Sequence, residues 1–267
     1  MKVKLDRKNF QKEWTSLVIF MAIATLVPFG TAIPVETRAK GILLTICLNL
    51  VLGGAAMLFL RRENVRLQDI GLGKGAWATS LLVFGIWWVL ITGMDLLSSW
   101  VAGLYGHAMP REQLVWSAVE VLDWFRAWVV VGLVEEVAYR GYLHNKFAVL
   151  FRKKWVGIAL AAVVFGLCHI PASIVLRGNT LLGALPGALG FGLISFVLFN
   201  APYELTGLMP LLVLFHGWND YPLVLTMQRP NAFVPVPGIA FFLILVGILA
   251  WKKRQRMVLQ KGAAYVS

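Results

Sequence analysis

Two adjacent glutamates, Glu135 and Glu136, follow a run of apolar residues, where a charged side chain is costly unless it has a partner or a function. Glu136 and Arg140 are four residues apart, so a helix would bring them to one face as an ion pair. Glu135 would point about 100° away on the same helix. We therefore predict a structural role for Glu136 and a free, reactive carboxylate at Glu135. The alternative is a charge patch at a helix end.

A histidine, His169, lies about fourteen residues into a second apolar segment. At that depth an imidazole must be hydrogen-bonded or face a wet cavity. Phe165 is one turn earlier on the same face and could be packing or the wall of a pocket. Taken alone, His169 could equally be a hydrogen-bonded histidine of the core.

A third apolar segment contains His216 and Asp220, again four residues apart, so the carboxylate could orient the imidazole. Asn219 lies on a neighbouring face of the same helix. Alone, this pair could simply fill a gap in helix packing.

The segments that carry these residues are apolar enough to cross a bilayer. Hydrophobic residues make up 59% of the 267 residues and charged ones 14%, against about 45–50% and a quarter in soluble domains. We predict an all-α, polytopic membrane protein with about eight transmembrane helices around a polar intramembrane cavity. The predicted spans are Trp14–Ile33, Gly41–Leu60, Ala76–Leu97, Val119–Lys146, Trp155–Leu176, Leu181–Asn200, Leu208–Met227 and Phe233–Trp251. Residues 1–267 would form one integral membrane domain, with the motifs in a core of about 119–227.

The loops between the predicted spans alternate between rich and poor in basic residues. The rich positions are Lys2, Lys4, Arg7, Lys8, Lys12, Arg61, Arg62, Arg66, Lys74, Arg152, Lys153, Lys154, Lys252, Lys253, Arg254 and Arg256; the poor loops contain only Arg38, Lys40, Arg111, Arg177 and Arg229. This alternation fits eight spans and predicts that both termini are cytoplasmic. The expected location is a bacterial inner (plasma) membrane. The loop near Tyr203–Gly207 has no positive charge and departs from the pattern. The net charge of +12 fits anionic lipid, and we expect no nucleic-acid partner.

The three polar groups lie at similar depth on three different spans. At about 1.5 Å per residue, Glu135, His169 and His216 are all about 12–28 Å from the cytoplasmic edge. A shared cavity is the least costly way to keep them from lipid.

The ordered motifs Glu-Glu-x-x-x-Arg, Phe-x-x-x-His and His-x-x-x-Asp resemble those of the CAAX prenyl protease and bacteriocin-processing family. This family of glutamic-type intramembrane proteases, which includes abortive-infection proteins, is related to Ras-converting enzyme. The resemblance covers about Glu135–Asp220. It implies an eight-helix core, an endopeptidase that needs no metal or other cofactor, and a cavity that opens to the cytoplasm.

The resemblance also implies roles for individual residues. Glu135 would activate water with help from His169, and His216 and Asp220 would stabilise the oxyanion. Glu136 and Arg140, with Phe165 and Asn219, would support the site. Many relatives have Asn at the position of Asp220, and an ionised carboxylate cannot donate a hydrogen bond. We therefore expect Asp220 to orient His216.

Other functions fit parts of this pattern. His169, His216 and a glutamate could bind zinc in a membrane peptidase, although no His-Glu-x-x-His motif is present. A cysteine peptidase built on Cys168 and His169 is disfavoured, because adjacent residues of a helix point about 100° apart. A non-catalytic immunity or scaffold protein and a transporter also remain open. The expected partners are the bilayer and a peptide or protein substrate, which could be lipidated or membrane-anchored.

Overall fold

The computed structural model describes residues 7–10, 14–107, 116–151 and 153–264. Within these ranges the secondary structure is helical and contains no strand, which confirms the predicted all-α class. The helices, numbered here in chain order, are α1 (Trp14–Thr31), α2 (Arg38–Arg62), α3 (Lys74–Leu104), α4 (residues 118–150), α5 (Lys154–Arg177), α6 (Leu181–Thr206), α7 (Met209–Asp220) and α8 (Pro235–Ala264).

Five of these helices, α2, α3, α5, α6 and α8, are long and apolar enough to cross a membrane. The chain is therefore an integral membrane protein, as predicted. The apolar part of α1, Trp14–Gly30, is shorter. Helix α4 contains charged residues and α7 has only 12 residues, so these two helices are not among the five either. The number of eight spans stays a prediction.

The seventh predicted span, Leu208–Met227, is wrong in its second half. The helix ends at Asp220, and Tyr221 has an extended φ of −141°. Pro222 explains this end, because the ring of a proline disfavours the helical conformation of the residue before it. Asp220 consequently lies at the end of a helix.

Helix α6 continues past its predicted end at Asn200 to Thr206. It stops where Gly207 adopts a left-handed conformation with φ of 73°, which glycine tolerates better than other residues. The predicted loop near Tyr203–Gly207 is thereby reduced to Gly207 and Leu208, the two residues between α6 and α7.

Three helices are irregular near the predicted site, and in α6 the irregularity is a π-helical turn at Phe196–Asn200. In α4, π-helical turns at Arg126–Val131 and Glu136–His144 flank the short α-helical segment Gly132–Glu135. Such π turns are rare and frequently occur at functional sites. Helix α5 is interrupted at Cys168 and His169, just before Pro171, which lacks the N–H that would continue the helical hydrogen bonds.

Helices α4 and α7 approach each other closely through two glycines. A Cβ on Gly217 would lie 2.8 Å from the Cα of Trp128, and one on Gly132 would lie 3.0 Å from the carbonyl oxygen of Val213. Small residues let helix backbones come together in membranes. The contact brings His216, next to Gly217, up to the two glutamates of α4.

We predict that Gly217→Ala lowers the melting temperature of the detergent-solubilised protein. Alanine is the better helix former by about 1 kcal/mol, so a loss must come from overpacking, which costs about 1–3 kcal/mol. Gly190→Ala is the matched control, because outside its own stretch of helix no atom of the described residues lies within 4 Å of the added Cβ. Equal melting temperatures for the two variants would contradict the close approach.

Candidate active site

Glu136 is fully buried and carries the central carboxylate of the site. Its Oε1 accepts a hydrogen bond from Nη1 of Arg140 at 3.0 Å, which is the ion pair predicted from their spacing. Both residues belong to the second π-helical turn of α4. Their charges are thus compensated inside the bundle, as buried charges require.

The ring of His216 is oriented by the same carboxylate. Nδ1 of His216 lies 2.8 Å from Oε1 of Glu136, and since the carboxylate accepts, Nδ1–H is the donor. Nε2 then faces two other carboxylates, with 3.8 Å to Oε2 of Glu135 and 3.8 Å to Oδ1 of Asp220. Residues from α4 and α7 therefore meet around one imidazole.

The expectation that Asp220 orients His216 stays a prediction. At 3.8 Å from Nε2 the carboxylate of Asp220 forms an ion pair but is too far for a hydrogen bond, and Glu136 is hydrogen-bonded to the other nitrogen of the ring. The i, i+4 spacing does bring Asp220 to the same helix face, but the ring turns its other nitrogen towards α4. Asn219 is exposed, and its amide donates to the carbonyl of Phe215 at 2.8 Å, so this group is bound to the backbone of its own helix.

Glu135 lines a cavity of about 250 Å³, together with His169 and Asp220. The side chain of Glu135 is 22% exposed, in contrast to the fully buried Glu136 beside it. A cavity of this size with ionisable side chains in its lining has room for several water molecules. The divergent directions predicted for the two glutamates are therefore observed, because Glu136 is buried in the core and Glu135 faces the cavity.

His169 presents one nitrogen to the same cavity. Its Nδ1–H donates to the carbonyl oxygen of Phe165 at 3.0 Å, so in the neutral ring Nε2 is left as the acceptor. The ring stacks on Phe191, with centroids 4.7 Å apart and planes within 9°. The break in α5 exposes this histidine, and a second, smaller cavity of about 120 Å³ adjoins it on the side of Arg177.

Phe165 serves the site in two ways. It lines the cavity, and its ring lies 4.5 Å from the guanidinium carbon of Arg140. The ring of Phe199, on α6, lies 4.8 Å from the same carbon and makes a second contact of this kind. These cation–π contacts help to stabilise the arginine away from water.

A chain of polar residues behind Arg140 was not predicted. Nη2 of Arg140 donates to Ser195 at 2.7 Å, Ser195 donates to Asn200 at 3.0 Å, and Asn200 contacts Nδ1 of His144 at 3.2 Å. Nε2 of His144 in turn lies 3.1 Å from Glu204. The signal was present, because Ser195 and Asn200 are polar residues inside an apolar span.

Two further residues of the cavity were also missed. Arg126 lines it and is bound through Nε to Asp123 at 2.7 Å. Asn49 of α2 lines it and is 3% exposed; its amide donates to Thr45, while its Oδ1 has no hydrogen-bond partner among the described residues. A charged residue and an asparagine inside two predicted spans were the available signals.

The zinc hypothesis requires at least three donors around one point. Within the described residues, no group of three or more His, Cys, Asp or Glu side chains is arranged to hold a metal ion. Both nitrogens of His216 are near carboxylates, and Nδ1 of His169 is engaged with a carbonyl. Metal-free chemistry stays a prediction.

Together these features define an α-helical integral membrane protein with a carboxylate and an imidazole at one cavity and a second imidazole beside that carboxylate. Residues 116–222 match the family model described as type II CAAX prenyl endopeptidase Rce1-like. The resemblance inferred from the motifs is thereby confirmed over a segment that contains all of the predicted site residues. No curated protein and no solved structure shows a significant match to the chain.

Loss of Arg140 should destabilise the protein strongly. Arg140→Leu leaves the carboxylate of Glu136 buried without its cation, which costs about 3–5 kcal/mol in comparable buried pairs. Arg66→Leu is the control, because Arg66 pairs with Asp69 at 3.2 Å while 73% exposed, and such pairs contribute about 0–1 kcal/mol. Thermal unfolding in detergent measures both. Similar stability of the two variants would mean that the buried pair contributes little.

Proposed function

We propose that the chain is an intramembrane endopeptidase that hydrolyses a peptide bond with water activated by Glu135. The observation that carries the proposal is that Glu135 and His169, from two helices, line one cavity. His216 lies beside them, with Nε2 3.8 Å from the carboxylate of Glu135. A base near the water and a donor near the developing oxyanion are what peptide hydrolysis requires.

In this mechanism a water molecule lies between Glu135 and Nε2 of His169. Glu135 removes a proton from the water while the oxygen attacks the carbonyl carbon of the peptide bond. The tetrahedral intermediate then collapses, the C–N bond breaks, and Glu135 gives the proton to the departing amine. No other reactant is needed.

His216 stabilises the oxyanion of the intermediate. Because its Nδ1–H is donated to Glu136, the donor to the oxyanion is a second proton on Nε2. Asp220 offers no proton when ionised, so its carboxylate compensates the charge of the imidazolium. Glu136 and Arg140 act as positioning residues, because Glu136 holds the ring of His216 and Arg140 pairs with Glu136 in the buried interior.

The family match supports peptide hydrolysis, since its description names an endopeptidase. The substrate is accordingly a peptide or protein. The description also names CAAX prenyl substrates, but the proposed chemistry requires only a peptide bond that reaches the cavity. Substrates without a lipid, as well as lipidated or membrane-anchored ones, are therefore compatible with the site.

The proposed location is a bacterial inner membrane with both termini in the cytoplasm. Basic residues cluster at one end of the bundle, which we call the basic end, and such clusters face the cytoplasm. They are Arg61, Arg62, Arg66, Lys74, Lys153, Lys154, Lys252, Lys253, Arg254 and Arg256. Lys2, Lys4, Lys12, Arg111 and Arg152, which also entered the charge pattern, lie outside the described residues.

We predict that Glu135→Gln abolishes proteolysis without loss of folding. Glutamine has the same shape but cannot accept the proton, and loss of a general base costs about 10²–10⁴-fold in rate. Mass spectrometry of membrane proteins from cells with either residue should reveal a new terminus only with glutamate. Glu36→Gln, at an exposed position that pairs with Lys40, is the matched control.

Three outcomes would change the assignment. Termini that persist in Glu135→Gln would remove Glu135 as the base. A cellular phenotype that persists without any cleavage would favour an immunity, scaffold or transport role. Loss of the Glu135-dependent terminus on treatment of membranes with a strong chelator would favour the zinc peptidase.

A further inference from the structure

The cavity and the basic end lie in opposite halves of the bundle. At the far end, opposite to the basic end, α1 leads into α2, α5 into α6, and α7 ends. Val27 and Pro28, within four residues of the end of α1, line the cavity, and so does Asp220, the last residue of α7. Arg126 lies eight residues after the start of α4, about 12 Å along the helix. The cavity therefore extends from Glu135 towards the far end.

The side chains at this end of the cavity are accessible. The carboxylate of Asp220 is 31% exposed and Arg126 is 21% exposed. Arg126, Asp123 and Arg38 form a chain of ion pairs there, with 2.8 Å between Arg38 and Asp123. Charged groups in this position indicate an aqueous rim, because ions in contact with hydrocarbon are costly.

Towards the basic end, the site is closed by packed polar side chains. Glu136, Arg140, His144 and Asn200 are each at most 2% exposed and are joined by the hydrogen bonds described above. This hydrogen-bonded network ends at Glu204, which pairs with Arg7 and Lys154 at the surface of the basic end. A substrate could reach Glu135 from this side only if the network came apart.

The large groove at the basic end does not offer another entrance. It lies between α3 and α8, and its lining includes Thr206, Lys252 and Arg256. None of the predicted site residues belongs to that lining. The groove and the candidate active site are therefore separate features.

We infer that the cavity opens to the face of the membrane away from the cytoplasm, and that the substrates are polypeptide segments displayed on that face. The identity of the substrates as polypeptides rests on the proposed function, whereas the direction of the opening rests on geometry and on the loop charges. Suitable substrates are exported peptides and the outer juxtamembrane segments of anchored proteins. Segments that stay in the cytoplasm, including C-termini prenylated there, are excluded. This direction is opposite to the cytoplasmic opening that the family resemblance implied.

The test is cysteine labelling with a membrane-impermeant maleimide, in a background with Cys47→Ala and Cys168→Ala. Ala172→Cys and Thr45→Cys place a thiol in the cavity from α5 and α2. Arg66→Cys marks the basic end, and Val89→Cys marks the apolar outer face of α3. Right-side-out and inside-out vesicles are labelled in parallel.

Both cavity thiols should react in right-side-out vesicles and lose this labelling in inside-out vesicles. Arg66→Cys should show the reverse, and Val89→Cys should react in neither. The inference is overturned if the cavity thiols react only from the face that exposes Arg66→Cys. It is also overturned if they react only in inside-out vesicles. Two positions keep the test valid when one variant fails to fold.

This labelling does not depend on proteolysis, so it separates the direction of the cavity from the proposed activity. The positions of the Glu135-dependent termini provide the second arm. Termini in exported segments agree with the inference, and termini confined to cytoplasmic segments would reject it while retaining the protease. Outward labelling without any such terminus would instead reject the proposed function.

Discussion

One buried carboxylate organises the site. Glu136 accepts a hydrogen bond from Nδ1–H of His216 on α7 and pairs with Arg140 on its own helix. A carboxylate inside a bundle costs several kcal/mol unless its charge is compensated. Both partners bind Oε1, and Oε2 has no hydrogen-bond partner among the described residues. Both partners are therefore held where they are, and α7 is fixed against α4. The close contact at Gly217 makes this distance possible.

The consequence is that two neighbouring glutamates have different roles. Because Glu136 is committed to structure, Glu135 on the adjacent face is left to line the cavity. The π-helical turns before and after Glu135 set the directions of these side chains. His216 connects the two, since one of its nitrogens faces each carboxylate. Support and reactivity thus belong to different residues at almost the same place.

Local rules predicted what depends on local geometry. The helices follow from apolar segments, and the pair of Glu136 and Arg140 follows from a four-residue spacing. The partner of His216 could not be found in this way, because Asp220 is near in sequence while Glu136 is 80 residues away. The end of α7 could have been predicted from Pro222. The end of the bundle towards which the cavity opens depends on how the helices pack together, and the sequence of a single segment does not determine that packing.

The most direct measurement is the protonation of His216 by NMR of membranes containing protein with ¹⁵N-labelled histidine. The signals of His216 are assigned with His216→Gln, and Glu136→Gln and Glu36→Gln are compared. A proton on Nδ1, with a hydrogen-bond shift that changes in Glu136→Gln but not in Glu36→Gln, is the result that the account predicts. An Nδ1 without a proton, or His216 signals that do not change in Glu136→Gln, would contradict it.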